Sequence, residues 1–231
     1  MFAAIKPPHF KMSDEIDYTS FNWLAYLINK EYAIRVAGYA KGMLLDLGCG
    51  EKPYLDIFSP HVDLYLGLEH PLTLHKNEKI DLFGDACNLP FVNESFDTVV
   101  SFEVLEHVSE PDKMVAEANR VLVTGGLAIF TVPFMWGIHE APNDYYRFTE
   151  YGLRYLFEKN GFSTLELLAK TGFWAMAGLR LNYHLTRHAV GFVRYALVPV
   201  FFVVQVLARI LDRLLGAEDD TTGYVIVSRK V

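Results

Sequence analysis

The stretch MLLDLGCGEKPY, residues 43–54, decides the fold. Four apolar residues surround a lone Asp, two glycines follow with one residue between them, and a Pro comes soon after. MLLDL has the length of a strand, and Gly48 and Gly50 form the turn that leaves it. Without Cβ atoms they let the backbone adopt unusual dihedrals and let another group approach closely. Outward from this stretch the same pattern returns in VDLYLGLE (62–69), KIDLF (79–83), FDTVVSF (96–102) and LAIFTVPF (127–134). Runs that are almost continuously apolar suit strands buried on both faces of a parallel sheet. They alternate with helix-like segments such as PDKMVAEANRVL (111–122), which predicts a doubly wound α/β fold. A helix is expected over about residues 19–40 with Thr19 or Ser20 as its N-cap. TTGYVIVSRKV (221–231) is expected to be an edge or inserted final strand.

At 231 residues, 52% hydrophobic and 21% charged, the chain can bury a full core. A formal charge of −7 without a basic, aromatic-interleaved patch argues against a nucleic-acid partner. Cys49 and Cys87, the two cysteines, fit no metal-ligand spacing. Together with the lack of an apolar leader in MFAAIKPPHFKMSDEIDY (1–18), they point to a cytoplasmic protein.

In a doubly wound sheet ligands bind beyond the carboxyl ends of the strands, beside the first turn. The second strand ends in Glu69, 21 residues after Gly48, where a carboxylate reaches a ribose diol held at that turn. The dinucleotide pattern GxGxxG fails, because Pro53 stands three past Gly50. DLGCG, then Glu69, then GDACNLPF (84–91), then FDTVVSFEVLEHV (96–108) resembles the class I S-adenosylmethionine-dependent methyltransferases of the type 11 group. The resemblance covers about residues 40–170 and the final strand. It implies a Rossmann-like seven-stranded sheet with S-adenosyl-L-methionine as cofactor. It also implies roles: Asp46, Gly48, Cys49 and Gly50 around the methionine part, Glu69 on the ribose, Asp85 and Ala86 at the adenine, and Phe102 and Glu103 beneath the sulfonium. Two departures stand out. The third glycine of the fullest motif is replaced near Lys52, and the usual Pro-Gly-Gly before the fifth strand reads Val-Thr-Gly-Gly (123–126).

Methyl transfer from a sulfonium needs alignment above all, and a base only where the acceptor loses a proton. In EVLEHV, Glu103, Glu106 and His107 stand at i, i+3 and i+4, one face of a helix. Such a set could hold a divalent cation, but it is also frequent in metal-free relatives, and no metal is assigned. After the fifth strand, PFMWGIHEAPNDYYRFTEYGLRYLFEKNGF (133–162) gathers Trp136, His139, Glu140, Asp144, Tyr145, Tyr146 and Arg147, where an acceptor would meet the cofactor. His139 is the expected base, His107 the alternative, and Asp144, Tyr146 and Arg147 complete the catalytic candidates. The bland reading is that Asp144 and Arg147 pair to fix the loop. A helix is expected to start at Thr149–Glu150 and to end at Asn160–Gly161.

Residues 172–216 carry five Arg and one Asp, a net of +4, which leaves −11 for the remainder. Arg180, His184, Arg187 and His188 form a basic stripe on one expected helix; Gln205, Arg209, Asp212 and Arg213 repeat the spacing on the next, among many aliphatics. A wide apolar face with a cationic stripe suits a helix lying in a membrane interface. The uncharged run Tyr195–Ala208 covers 14 residues, roughly 21 Å as helix, short of the ~30 Å hydrocarbon core. The other reading is a buried cap over the site or a homodimer interface.

Taken together, the sequence predicts a helical cap (1–42), a cofactor-binding core (43–171), an apolar, basic helical insertion (172–217) and a final strand (218–231). The expected activity is methyl transfer to a small-molecule or lipid-linked acceptor, with O-methylation favoured. The competing reading is a nucleoside-binding α/β protein without catalysis, acting as a regulator or assembly partner.

Overall fold

The strand-length runs pair into one seven-stranded sheet. The computed structural model describes residues 16–73, 78–217 and 219–231; the absence of a leader was read largely on residues 1–15, outside the described residues. In chain order the elements are α1 (Trp23–Ala37), β1 (Met43–Leu47), α2 (Leu55–Phe58), β2 (Leu64–Glu69), β3 (Leu82–Phe83), β4 (Phe96–Phe102) and α3 (Pro111–Val121). There follow β5 (Leu122–Pro133), α4 (Glu150–Lys159), β6 (Phe162–Ala169), α5 (Phe173–His188), α6 (Phe192–Ala196), α7 (Val198–Leu215) and β7 (Gly223–Lys230). The sheet order is β3-β2-β1-β4-β5-β7-β6. β1 to β5 run parallel, and β7 enters antiparallel between β5 and β6. The final strand is therefore inserted and not at an edge.

The continuous apolar runs serve two cores at once. Leu45, Leu47, Val99, Phe130 and Val132 pack with Met114, Val115, Leu153 and Phe157 from α3 and α4. Their neighbours Leu44, Val100 and Ile129 point the other way, against Ala33, Val36 and Phe58. Successive side chains of a strand alternate faces, so both sets must be apolar when both faces are covered.

The start of α1 differs from expectation. Its N-cap is Asn22, with no side-chain capping bond, and Thr19 turns instead to Asp17. The amide of Leu24 is satisfied from far along the chain, by Gln205 Oε1 of α7 at 2.8 Å. Gln205 Nε2 donates to Phe201 O and Ser20 O. Asn182 of α5 donates to Phe21 O and Phe201 O, and Asp212 of α7 caps α5 through the amides of Gly172 and Ala175. Arg209 pairs with Glu31. Gln205, Arg209 and Asp212 of the second stripe thus anchor α7 on α1 and α5, while Arg213 stays exposed. Of the two readings of this stripe, the inward contacts of these three residues match a packed helix. Because a buried amide lost from one partner leaves others unsatisfied, Gln205→Leu is expected to lower folding stability by about 1–3 kcal/mol, measurable by urea denaturation.

On α5 the stripe Arg180, His184, Arg187 and His188 is exposed as expected. Helix α4 also forms as expected, with Thr149 Oγ1 accepting from the amide of Gly152. Phe192–Leu215 provides 24 residues long and apolar enough, by length and composition, to cross a membrane, more than the uncharged run alone suggested.

Candidate active site

The first turn is built by backbone that only glycine adopts easily. Gly48 has φ +74° and Gly50 φ +51°, in the left-handed region. A Cβ on Gly48 would stand 2.4 Å from Val104 Cγ2. The amides of Gly48 and Cys49 both donate to Leu68 O, at 2.9 and 3.2 Å, which ties the turn to the end of β2. Glu69 closes the arrangement: Oε2 accepts from Gly50 N at 2.8 Å and Oε1 from His70 N at 2.9 Å. A carboxylate held by two amides keeps further lone pairs for a hydroxyl donor.

Asp46 lies one residue inside the same strand and is buried. Its Oδ2 accepts from the Tyr65 hydroxyl at 2.5 Å. Burial pushes its pKa up to about 7, against the Tyr65 hydrogen bond and the Lys52 charge, with Glu69 adding to the rise. An anion this poorly solvated gains from a cation docked beside it. The donor set therefore fits an amino-acid ammonium at Asp46 and a diol at Glu69, which are the groups S-adenosyl-L-methionine carries.

Lys52, at the position of the missing glycine, adopts φ +53°. Its buried ammonium pairs with Asp81, whose Oδ2 also accepts from Gly67 N at 2.7 Å. The ion pair holds a non-glycine residue in a glycine conformation, a device no spacing rule reveals. Asp85 is exposed, and its Oδ1 accepts from Cys87 N at 2.8 Å; Ala86 beside it packs on the core. Phe102 packs against Tyr54 and Phe58, with ring centroids 4.3 and 5.7 Å apart. Cys49 and Cys87 are free thiols.

Beyond β4 the expected helix face is absent. Glu103 has φ +55° and ends the strand, and Leu105–His107 is one short 3₁₀ turn. Glu103 pairs with Lys170 at 2.5 Å and stands before the short turn, so these three residues do not share one helical face. His139 arrives instead. Its ring meets that of His107 at 4.7 Å, edge to face, and Glu106 lies beneath both, at 3.6 Å from His107 Nε2 and 3.7 Å from His139 Nε2. The loop after β5 is held in place by Tyr145 N and Tyr146 N, which donate to Glu106 O.

Asp144 and Arg147 hold that loop from within. Arg147 Nη1 and Nη2 reach Asp144 at 2.6 and 2.7 Å, and Asp144 also accepts from His139 N. Burial alone would raise the Asp144 carboxyl, but the Arg147 and His139 hydrogen bonds outweigh it and hold the pKa at about 2. Arg147 spends its remaining donors on the carbonyls of Gly137, Trp136 and Tyr146. Asp144 and Arg147 thus take the loop-fixing part of their two expected roles. Tyr146 donates to Ser109 O at 2.9 Å and remains exposed.

Both histidines are anchored through Nδ1. His107 Nδ1 lies 2.7 Å from Asn143 O, so Nδ1 carries a hydrogen and Nε2 is left facing the site. His139 Nδ1 lies 3.2 Å from Gly137 O. Arg147 Nη2 already gives its hydrogens to Gly137 O and Asp144, which leaves His139 Nδ1 as a donor as well. Burial, reinforced by the facing His107, lowers the His139 pKa. Burial and the nearby Glu103 raise that of Glu106.

The loop also touches the helices before β7. Trp136 packs edge to face on Tyr183 of α5 at 4.9 Å. A methyl group on Gly137 would stand 3.1 Å from Arg180 Nη1 and 3.8 Å from Arg187 Nη2. The basic stripe of α5 therefore borders the loop that carries His139.

A family model described as a methyltransferase domain matches residues 45–130. Over 95 residues the chain is 34% identical to the tRNA (carboxymethyluridine(34)-5-O)-methyltransferase of Arabidopsis thaliana, covering 39% of this chain and 24% of that protein. Over 104 residues it is 30% identical to the phosphatidylethanolamine N-methyltransferase of Cereibacter sphaeroides, covering 40% of this chain and 51% of that protein. The matches span about a quarter to a half of the length of these curated relatives. The structure of Haemonchus contortus phosphoethanolamine N-methyltransferase 2 in complex with S-adenosyl-L-methionine shares the fold, with TM-score 0.57 at 18% identity over 96% of this chain and 60% of that chain.

Proposed function

We propose that this chain, which belongs to the class I S-adenosylmethionine-dependent methyltransferases, methylates an acceptor presented at an anionic membrane surface. S-adenosyl-L-methionine is the family's cofactor, and as a sulfonium it supplies an already activated methyl group. In this reading Asp46 takes its ammonium and Glu69 its ribose hydroxyls, with Asp85 at the base and Phe102 and Glu103 beneath the sulfonium. The turn at Gly48–Gly50 supplies the close backbone approach. The acceptor enters over the loop of residues 137–148. An oxygen nucleophile is favoured, because His107 and His139 cluster with Glu106 under the loop where an acceptor enters, a setting that can ease the loss of a hydroxyl proton.

The observation that carries the acceptor class is that Arg180 and Arg187, beside Gly137, belong to the same helical segment as many exposed apolar side chains. The segment exposes Phe173 and Trp174 on α5, Phe192 and Tyr195 on α6, and Leu207 and Leu214 on α7. The only acidic residue of the segment, Asp212, is turned inward to cap α5. Apolar side chains beside unopposed cations suit an anionic lipid interface. The body of the chain, at −11, is repelled from the same surface and so favours one orientation. Because the polar side of α7 anchors α1 and α5, the helix lies on the bilayer and does not cross it.

Sedimentation with phosphatidylglycerol-containing vesicles tests this. Wild-type protein should pellet with them, more weakly at high salt and far less with pure phosphatidylcholine. Leu207→Glu combined with Ile210→Glu should weaken the binding by about tenfold or more. Failure to pellet with anionic vesicles would overturn the reading, as would a homodimer that the double variant splits into monomers without any change in vesicle binding.

A further inference from the structure

Glu106 is the one buried carboxylate of the site with no hydrogen-bond partner for either oxygen among the described residues. Its side chain is 0% exposed, and an ionisable group so placed is expected to have a partner. Two imidazole nitrogens face it. His107 Nε2 lies 3.6 Å and His139 Nε2 3.7 Å from Glu106 Oε1. At these distances neither nitrogen hydrogen-bonds the carboxylate, and each ring is held through Nδ1 by a backbone carbonyl with Nε2 left to face Glu106. A buried carboxylate and two imidazole nitrogens, atoms that commonly ligate metals, are therefore grouped without a hydrogen bond among them.

We propose that Glu106, His107 and His139 bind a divalent transition-metal ion of the zinc class. The ligand atoms of the three residues lie within 4.8 Å of one another. Ligands at about 2.0–2.1 Å from a tetrahedral zinc are about 3.4 Å apart, close to the 3.6 and 3.7 Å from Glu106 to the two imidazoles. Two imidazoles and one carboxylate favour zinc and its first-row neighbours over magnesium or calcium, which prefer all-oxygen shells. Each histidine is already oriented through Nδ1 by a main-chain carbonyl, the usual support behind a metal-bound ring. Glu140 Oε2, 3.9 Å from His107 Nε2, stands on the solvent side, where a fourth ligand or an exchangeable water would sit. This departs from the sequence-based assignment of no metal, which saw Glu103 as the third member; Lys170 claims that carboxylate. A use in catalysis rests on the methyltransferase reading, in which a hydroxyl acceptor at the open position would lose its proton more readily. The affinity for the ion does not rest on it.

The full-length protein, stripped with chelator, is titrated with zinc chloride against a chromophoric competitor, and cobalt chloride is used separately for its visible spectrum. One equivalent of zinc should bind with sub-micromolar affinity, and cobalt should give the intense bands of a four-coordinate site. Glu106→Gln, which keeps shape and volume, and His139→Ala should each weaken zinc by about 100-fold or more. His61→Ala, distant from the cluster, should not. Retained binding of S-adenosylhomocysteine by Glu106→Gln would show that the variant is folded, and a thermal melt serves where the wild type itself does not bind that ligand. Absence of stoichiometric zinc binding by the wild type would overturn the proposal. So would zinc binding that survives both substitutions in folded protein. Zinc binding without S-adenosylhomocysteine binding would uphold the metal site and reject the methyltransferase reading.

Discussion

Gly48→Val should abolish measurable binding of S-adenosylhomocysteine and lower the melting temperature at the same time. The residue sits at φ +74°, where a β-branched side chain is a steric outlier. Its Cβ would also fall 2.4 Å from Val104 Cγ2. Val104 is short and branched and cannot swing aside as a lysine would. Backbone strain and overpacking each cost about 1–3 kcal/mol, so together they remove a large share of the stability of a single domain. The displacement has two directions to travel. Toward β2, it breaks the paired amides of Gly48 and Cys49 on Leu68 O; toward β4, it shifts Val104 and the turn that carries Glu106 and His107. Calorimetry and a thermal melt on the same sample read both effects. Unchanged affinity in the variant would mean that this turn does not hold the ligand.

Asp46→Asn should behave in the opposite way toward stability. With its pKa at about 7 in the fold against 3.8 for a solvated aspartate, Asp46 binds its proton more tightly folded than unfolded. Between those two values the folded state holds more protons, so stability falls as pH rises from about 4 to about 7 and then levels. The total is on the order of 4 kcal/mol. The amide carries no charge, so the variant should lack this decline and melt no lower than wild type at about pH 8. Its affinity for S-adenosylhomocysteine should nevertheless drop about 10- to 100-fold, the worth of a charge-assisted contact with an ammonium. The pH dependence of binding separates this from a general loss of shape. Below about pH 7 the wild type must release a proton from Asp46 to bind, so its affinity should fall up to tenfold per pH unit there and be flat above. The variant should show no such slope from this residue. A wild-type affinity that does not change between about pH 5.5 and 7.5 would remove Asp46 from the ammonium contact.

The parts of the fold that were legible in the sequence were local. Leu44 and Leu45, or Val99 and Val100, are adjacent apolar residues on opposite faces of a strand, and only a sheet covered on both sides buries both. The glycine turn and Glu69 were legible because a fixed strand-turn-strand distance joins them. What stayed hidden depends on distant partners. The place of β7 between β5 and β6 is set by pairing across the chain, and β6, FSTLELLA, alternates as an edge strand does and was not singled out. The start of α1 was misjudged because the Leu24 amide of its first turn is satisfied by the distant Gln205. Arg209 and Asp212 have the periodicity of a solvated stripe, and nothing in their spacing tells that they face inward. Glu103, Glu106 and His107 match a helical face in spacing. The positive φ of Glu103 and the attraction of Lys170 break that face, and His139, 32 positions after His107, takes the vacant place.

Calorimetric titration of the wild-type protein with S-adenosylhomocysteine tests the central claim most directly. The account predicts one site of micromolar affinity, with a proton released to the buffer below about pH 7. A folded protein that gives no binding heat in buffers of different ionisation enthalpy would contradict it.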